Sequence, residues 1–418
     1  MTYEIFQQKG YSTDILHDGQ KGDTITLDYT GASLRDRPAK HKRMLCNSGS
    51  HPYIINHLKE DMLLFDNDED IHISNVKQLP LLKTPIIDSS LQALFQETQN
   101  AVKGHDITIR LTHTKTQSAI GKTSKTQLEK SEEFVALILE GNDNPNESRC
   151  VVGIRPTASD YSLAEIQSIK DWIVQRRKLT RPLPAGKYPL VFAPGVGGIL
   201  IHEVVGHQFE LSRPYSAYSP ANFKKGHQLF SKNLTVVDAP FSLMPAHTFD
   251  DEGITKKKAI LIKKGAVNSP LTDRYSKYAY PGYTFTGNAR RGSYIHFPEP
   301  RMYNTYVENG TDSISQAISG IEYGFYVQQI SYASCHFTGG VKACVGRASI
   351  IKRGKITGTP ATFMIEDNVS SFLNVKHVCN DMLTIPGYCY SVSGGLYVEH
   401  GSPTIGFDAV NIRNITHC

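Results

Sequence analysis

The 418-residue chain has little of several things that usually mark a function. Net charge is small: 45 Lys and Arg stand against 40 Asp and Glu, an excess of +5. Spread over this length, that excess gives no argument for nucleic acid. No long hydrophobic run is present. The longest, over residues 190–201, is broken by Pro194, Gly195, Gly197 and Gly198, too short and too interrupted to span a bilayer. The first residues lack the basic start and apolar stretch of a secretory signal. The 7 Cys (Cys46, Cys150, Cys335, Cys344, Cys379, Cys389 and Cys418) include no C-x-x-C. An odd, scattered set of this kind reads as reduced thiols, and the expected compartment is the cytoplasm.

What is present is an ordinary globular mixture, 39% hydrophobic and 20% charged, which excludes disorder along the whole chain. The length suffices for two or three domains. Thr24-Ile-Thr-Leu-Asp-Tyr29 alternates as a strand, and Pro38-Ala-Lys-His-Lys-Arg43 reads as an exposed loop. Ser89 or Ser90 can cap a helix carrying Leu91, Leu94, Phe95 and Val102. A strand follows from Asp106, then a polar stretch over 113–130, read as a loop or a polar edge strand, then a buried strand at Phe134-Val-Ala-Leu-Ile-Leu139. Ser162-Leu-Ala-Glu165 forms a capping box for a helix bearing Leu163, Ile166, Ile169, Trp172 and Ile173.

Pro182 and Pro184 mark a linker, so the expected boundary divides an α+β domain, 1–184, from a β-rich domain, 185–418. In the second half, two Ile-Lys-basic-Gly segments around Gly265 and Gly354 read as hairpin turns. Residues 311–323 read as a helix capped by Thr311 or Asp312.

The chemistry concentrates in Gly197-Gly-Ile-Leu-Ile-His-Glu-Val-Val-Gly-His207. The zinc helix H-E-x-x-H places two His on one face, with Glu as general base. Here the spacing is one residue longer, H-E-x-x-x-H. On a regular helix, five steps of about 100° leave His202 and His207 about 140° apart, too far to share an ion. A π-type turn of roughly 4.4 residues brings them nearly into line, and Gly206 eases such a distortion. The plainer alternative is a buried helix with two hydrogen-bonded core histidines. The apolar setting argues against it. Three titratable groups among Ile199, Leu200, Ile201, Val204, Val205 and Phe209 need partners, and a metal is the economical one. A third ligand is required. His296, His377, Cys379, Cys389, His400, Glu210 and Asp250 all qualify chemically, and spacing does not choose among them.

Residues 198–210 resemble the signature helix of the TldD subunit in the TldD/PmbA metallopeptidase family. The resemblance continues in order through Phe249-Asp-Asp-Glu-Gly253, Thr286-Gly-Asn-Ala-Arg-Arg291, Tyr294-Ile-His-Phe-Pro298, Pro300-Arg-Met-Tyr-Asn-Thr-Tyr306 and Gly401-Ser-Pro-Thr404. It covers roughly residues 186–418 and fades toward the start. It implies one zinc ion held by His202, His207 and Cys389, with Glu203 as the catalytic base. It also implies hydrolysis of unfolded or extended peptides, such as leader or precursor peptides. The partner would be a PmbA/TldE-like subunit in a heterodimer, or a second copy in a homodimer. Tyr390-Ser-Val-Ser-Gly394 stands where Gly-Lys-x-Gly-Gln usually follows the Cys, and Leu211-Ser212 where Gly-Asp is usual.

Other residues carry two readings each. His296 is a substrate group or a strand-end His satisfied by backbone. Arg290 and Arg291 hold a peptide carboxylate or form surface ion pairs. Asp250-Asp-Glu252 orients a His or forms a solvated acidic turn. Cys335, Cys344 and Cys379 read as buried thiols. The rival to a zinc peptidase is a non-catalytic or structural subunit of a peptide-binding assembly of the same type. Glu203 discriminates between them, because a binding site has no need of a carboxylate beside the ligands.

Overall fold

A computed structural model describes residues 4–18, 22–32, 89–122, 127–141, 149–176, 183–244, 248–292 and 296–414. The expected loop at Pro38–Arg43 lies outside them. The protein is β-rich with few helices.

The first half is an antiparallel five-stranded sheet. Its spatial order is Gly22–Ala32, Glu4–Asp18, Ile107–Lys122, Gln127–Gly141 and Arg149–Arg155. The polar stretch over 113–130 thus belongs largely to two long strands. Cross-strand hydrogen bonds satisfy the backbone there without an apolar side-chain pattern. Helices Ser89–Val102 and Leu163–Arg176 cover the sheet. Leu91, Leu94, Ile166, Trp172 and Ile173 meet Ile109, Leu111, Leu137 and Leu139 in one core. The Ser162 hydroxyl accepts the Glu165 amide, as a capping serine should.

The second half holds two six-stranded sheets. In one, the order is Lys355–Asn368, Gly340–Lys352, Tyr323–Cys335, Gly186–Phe192, Ile405–Arg413 and His377–Val378. A further pairing of Met364 with Arg413 and Ile365 with Ile412 closes its first five strands into a ring. The other runs Leu383–Ser391, Gly394–Ser402, Asn304–Val307, Val236–Ala239, Ala259–Lys263 and Ala266–Val267. Both anticipated turns are present, with Gly265 at φ 78° and Gly354 at φ 68°. The helix expected over 311–323 is shorter, Ile314–Ser319. Its cap is Ser313, whose hydroxyl accepts the Gln316 amide. Asp312 instead accepts from the Val378 amide and pairs with His377.

Strand Gly186–Phe192 leads into the helix Val196–Ile201, which lies against strand Gly394–Ser402. Contact is so close that a Cβ on Gly198 would stand 2.7 Å from the Gly401 nitrogen. That approach, rather than helix propensity, accounts for the glycine, since Gly weakens a helix interior by about 1 kcal/mol relative to Ala. The two halves meet where Phe134 and Ile154 pack with Phe241, Met244, Tyr303 and Tyr397.

Two sequence expectations are corrected here. Cys344 is disulfide-bonded rather than a free thiol, whereas Cys335, Cys379 and Cys389 are free. This removes the basis for reading every cysteine as reduced. The Asp250–Glu252 turn is not a solvated loop. Asp250 and Asp251 are buried, and their carboxylates accept the Ala289 and Arg291 amides. They join two segments of the fold by satisfying backbone donors that no strand reaches. Among the described residues, no helix is long and apolar enough to cross a membrane.

Candidate metal centre

After Ile201 the helix widens. Residues His202–Gly206 form a π-helical turn, followed by one 3-10 turn over His207–Phe209. The wider turn brings the His202 and His207 rings to 5.0 Å between centroids. Strand Leu383–Ser391 delivers Cys389, whose Sγ lies 3.3 Å from His207 Nε2. One ligand-type atom from each of His202, His207 and Cys389 lies within 4.8 Å of the others, and all three residues are buried. Glu203 is buried beside them, with Oε2 3.9 Å from His207 Nε2.

The donor set fits a borderline-soft ion such as zinc, which takes imidazole nitrogen and thiolate sulfur. An orphan supports the fit: neither ring nitrogen of His202 has a hydrogen-bond partner, though the side chain is buried. Buried polar atoms without partners are rare, and an unpaired imidazole facing a thiol and a second imidazole is a ligand arrangement.

Glu210, a candidate ligand in the sequence, and Arg301, which the sequence did not single out, hold this set in place. Glu210 is fully buried, and its Oε2 accepts from His207 Nδ1 at 3.1 Å. That leaves Nε2 of His207 directed at the sulfur and fixes the ring's tautomer, as carboxylates behind metal-binding His do. Arg301 reaches both sides of the site. Its Nη2 donates to Cys389 Sγ at 3.1 Å and to the Cys389 carbonyl at 3.0 Å, while its Nε stands 3.6 Å from Glu210 Oε1. The segment that departs from the family pattern takes part: Ser393 Oγ accepts from Arg301, and Ser391 Oγ from Arg213. Glu210 was a candidate ligand in the sequence; its distance from His207 makes it the residue behind the ligand instead. Arg301 lay inside the Pro300–Tyr306 block without any local signal to separate it from its neighbours.

The electrostatics follow from burial and this ring of charges. Burial pushes the Glu203 carboxyl up to about 7, against the pull of His207. Burial and the charge of His207 hold His202 well below the usual imidazole value, so it is neutral and able to donate a lone pair. Burial also opposes ionisation of Cys389, but His207 and Arg301 outweigh it and bring the thiol down to about 5. Burial disfavours the His207 cation as well, yet Glu210, Cys389 and Glu203 together raise it to about 10. Three anionic groups thus converge on one imidazole, an arrangement that favours a cation.

The remaining site candidates lie in different settings. The Arg290 guanidinium is buried against the Tyr303 ring at 4.1 Å and donates to the Met302 and Tyr397 carbonyls. It forms no surface ion pair, and its bonding capacity goes into tying strands together. Arg291 is buried, and its backbone amide is held by Asp251. His296 is half-buried beside Gly394, in the segment that follows Cys389. His377 pairs with Asp312 at 3.0 Å, away from the His–His–Cys group.

The PmbA/TldA metallopeptidase C-terminal domain family matches residues 185–414, and the chain belongs to the PmbA/TldD family. Over 244 residues it is 29% identical to a zinc metalloprotease TldD homologue of Saccharolobus solfataricus, covering 57% of this chain and 54% of that one. Over 235 residues it is 34% identical to a metalloprotease TldD homologue of Haemophilus influenzae, covering 55% and 48%. The chain thus matches about half the length of these curated relatives. The crystal structure of TldE from Thermococcus kodakarensis shares the fold, with a TM-score of 0.67 at 18% identity over 99% of this chain and 97% of that one.

Proposed function

We propose that this chain is a zinc-dependent peptidase acting on extended or unfolded peptides. The observation that carries the reading is the buried convergence of His202, His207 and Cys389 with Glu203 at its edge. His202, His207 and Cys389 would hold the ion. When bound, zinc supplies Lewis acidity toward a scissile carbonyl and acidifies water. Glu203, held near neutrality, is matched to accept a proton from water and return it to the leaving amine. Glu210 and Arg301 keep His207 and Cys389 oriented. Strand Leu383–Ser391, which carries Cys389, stands at the end of its sheet order, so an extended peptide can add there by backbone hydrogen bonds. Such pairing reads main chain more than side chain, which suits precursor peptides of varied sequence. His296 and Arg291 remain proposed substrate-side residues, whereas the guanidinium of Arg290 is committed to the Met302 and Tyr397 carbonyls.

The assembly proposed is a pair with a PmbA/TldE-like subunit, or a homodimer, enclosing the site. His202→Ala, His207→Ala and Cys389→Ala should each lose zinc, measured as metal per chain. Glu203→Gln should keep zinc and lose cleavage of unstructured peptides, read by mass spectrometry. Full zinc content in Cys389→Ala, or normal turnover in Glu203→Gln, refutes the assignment. A chain that holds zinc yet cuts no peptide, alone or with its partner, would favour the non-catalytic subunit.

A further inference from the structure

His400 has no place in the ligand set above, yet it is built into the same site. It lies on strand Gly394–Ser402, which pairs with the strand carrying Cys389 and lies under the His202 helix. In the antiparallel register Ile385 faces His400, Gly387 faces Val398 and Cys389 faces Leu396, so His400 and Cys389 share one face of the sheet. The His400 ring is buried and stands edge-on to His202, with centroids 4.6 Å apart.

That spacing is chemically informative. Two imidazoles on one tetrahedral zinc, each with a Zn–N bond of about 2.0–2.1 Å, have centroids roughly 5 Å apart. His202 and His207 stand at 5.0 Å, and His202 and His400 at 4.6 Å. Both ring separations suit imidazoles sharing an ion, though as the rings stand only the His202 and His207 nitrogens converge. His400 Nδ1 is buried without a hydrogen-bond partner, as are both nitrogens of His202. Two adjacent buried imidazoles have three orphaned nitrogens between them, and none of the three is bonded to the other ring. A purely structural residue packed here would be apolar, since an unsatisfied buried polar atom costs about 1–3 kcal/mol.

Room for the ring is provided from the opposite strand. A Cβ on Gly387 would stand 2.3 Å from His400 Nε2, so any side chain there would displace the imidazole. Gly387 lies two residues before Cys389. The His400 nitrogens are outside the group of atoms converging within 4.8 Å, so joining it takes a side-chain rotation toward His202.

We infer that His400 is a fourth, displaceable nitrogen donor of this centre, closing it with three imidazoles and one thiolate until a peptide arrives. This rests on the reading of His202, His207 and Cys389 as a zinc site. A hydrolytic zinc keeps one position open, whereas four protein donors complete the tetrahedron. A donor on the neighbouring strand can therefore hold the site shut and yield to substrate.

The test is zinc-edge X-ray absorption on the full chain, whose multiple-scattering features count imidazoles. The chain alone should show three imidazoles and one sulfur. Glu203→Gln holding a short synthetic unstructured peptide should show two. His400→Phe and His400→Gln should show two without peptide, and should release zinc to a chelator about 10–100-fold faster. Two imidazoles in the peptide-free chain, or a count and release rate unchanged by either His400 substitution, overturn the inference while leaving the three-ligand site intact. Three imidazoles retained with peptide bound overturn the displaceable role. A chain that takes up no zinc overturns the underlying reading and this inference with it.

Discussion

Glu210→Gln removes one charge and almost no volume from the residue behind His207. The carboxylate faces His207 Nδ1 at 3.1 Å, Arg213 Nε at 3.4 Å and Arg301 Nε at 3.6 Å, and it is fully buried. Gln retains a hydrogen-bonding group toward the imidazole but leaves two guanidinium groups without their shared counter-charge. Removing one partner of a buried ion pair costs about 3–5 kcal/mol, and the conserved shape favours the lower figure, about 3 kcal/mol. The ligand His207 also loses the carboxylate that fixes its tautomer, which lowers metal affinity by about 10–100-fold. That is about 1.4–2.8 kcal/mol. Two assays read these separately: urea unfolding of the metal-free protein, and zinc competition against a chromophoric chelator. Burial works against ionisation of Glu210, but His207, Arg213 and Arg301 prevail and hold it below the usual carboxylate range. A depressed folded value means that its stabilisation is complete above the unfolded-state carboxylate range. It is lost as pH falls through the lowered folded value. The stability gap between the unaltered chain and Glu210→Gln should therefore narrow on acidification. Zinc affinity within twofold of the unaltered chain, with unchanged unfolding, would refute the role given to Glu210.

In the zinc-free protein, thiolate absorbance at 240 nm should titrate near pH 5 for Cys389, because His207 and Arg301 outweigh burial. The linked stabilisation is full above the unfolded thiol value of about 8.5 and disappears as pH falls through about 5. A midpoint near 8.5 would show that the two cations do not reach the sulfur. Gly198→Ala places a methyl against the Gly401 backbone, with its nitrogen at 2.7 Å and its carbonyl atoms at 2.9 Å. Backbone cannot rotate away as a side chain does, so a loss of about 1–3 kcal/mol is expected in thermal unfolding, together with weaker zinc binding. An unchanged melting curve would mean that the helix and strand are not in contact as described.

Local features of the chain were legible where one segment decides its own conformation. The Ser162 cap, the apolar face of Leu163–Arg176 at Ile166, Ile169, Trp172 and Ile173, and the glycine turns at Gly265 and Gly354 require only neighbouring residues and are present, whereas Leu163 is exposed and the Glu165 carboxylate pairs with Arg155 instead of closing a capping box. A π-turn is present at His202–Gly206, in the segment where the histidine spacing and Gly206 pointed to a distortion. Long-range competition decided the cap near Thr311: Ser313, not Asp312, caps the helix, since Asp312 is drawn to His377 on a distant strand. The polar stretch over 113–130 looked undecided because its strand pairing is a property of the partner strands, not of its own side-chain pattern.

By itself the sequence placed His202, Glu203 and His207 on one segment and asked for a local widening to bring the two rings together; the π-turn of the structure supplies it. Tertiary structure alone decided what surrounds them. Cys389 reaches His207 across 182 residues of chain, and Arg301 reaches Cys389 across 88. Nothing in either local neighbourhood encodes that meeting. It follows from the pairing of Leu383–Ser391 with Gly394–Ser402 and from the close seating of the Val196–Ile201 helix on that second strand. The burial of Arg290, the carboxylate behind His207 and the nearness of His400 come from the same packing. A side chain's charge and chemistry are written in its identity, but its partners are set by which surfaces the sheets bring face to face.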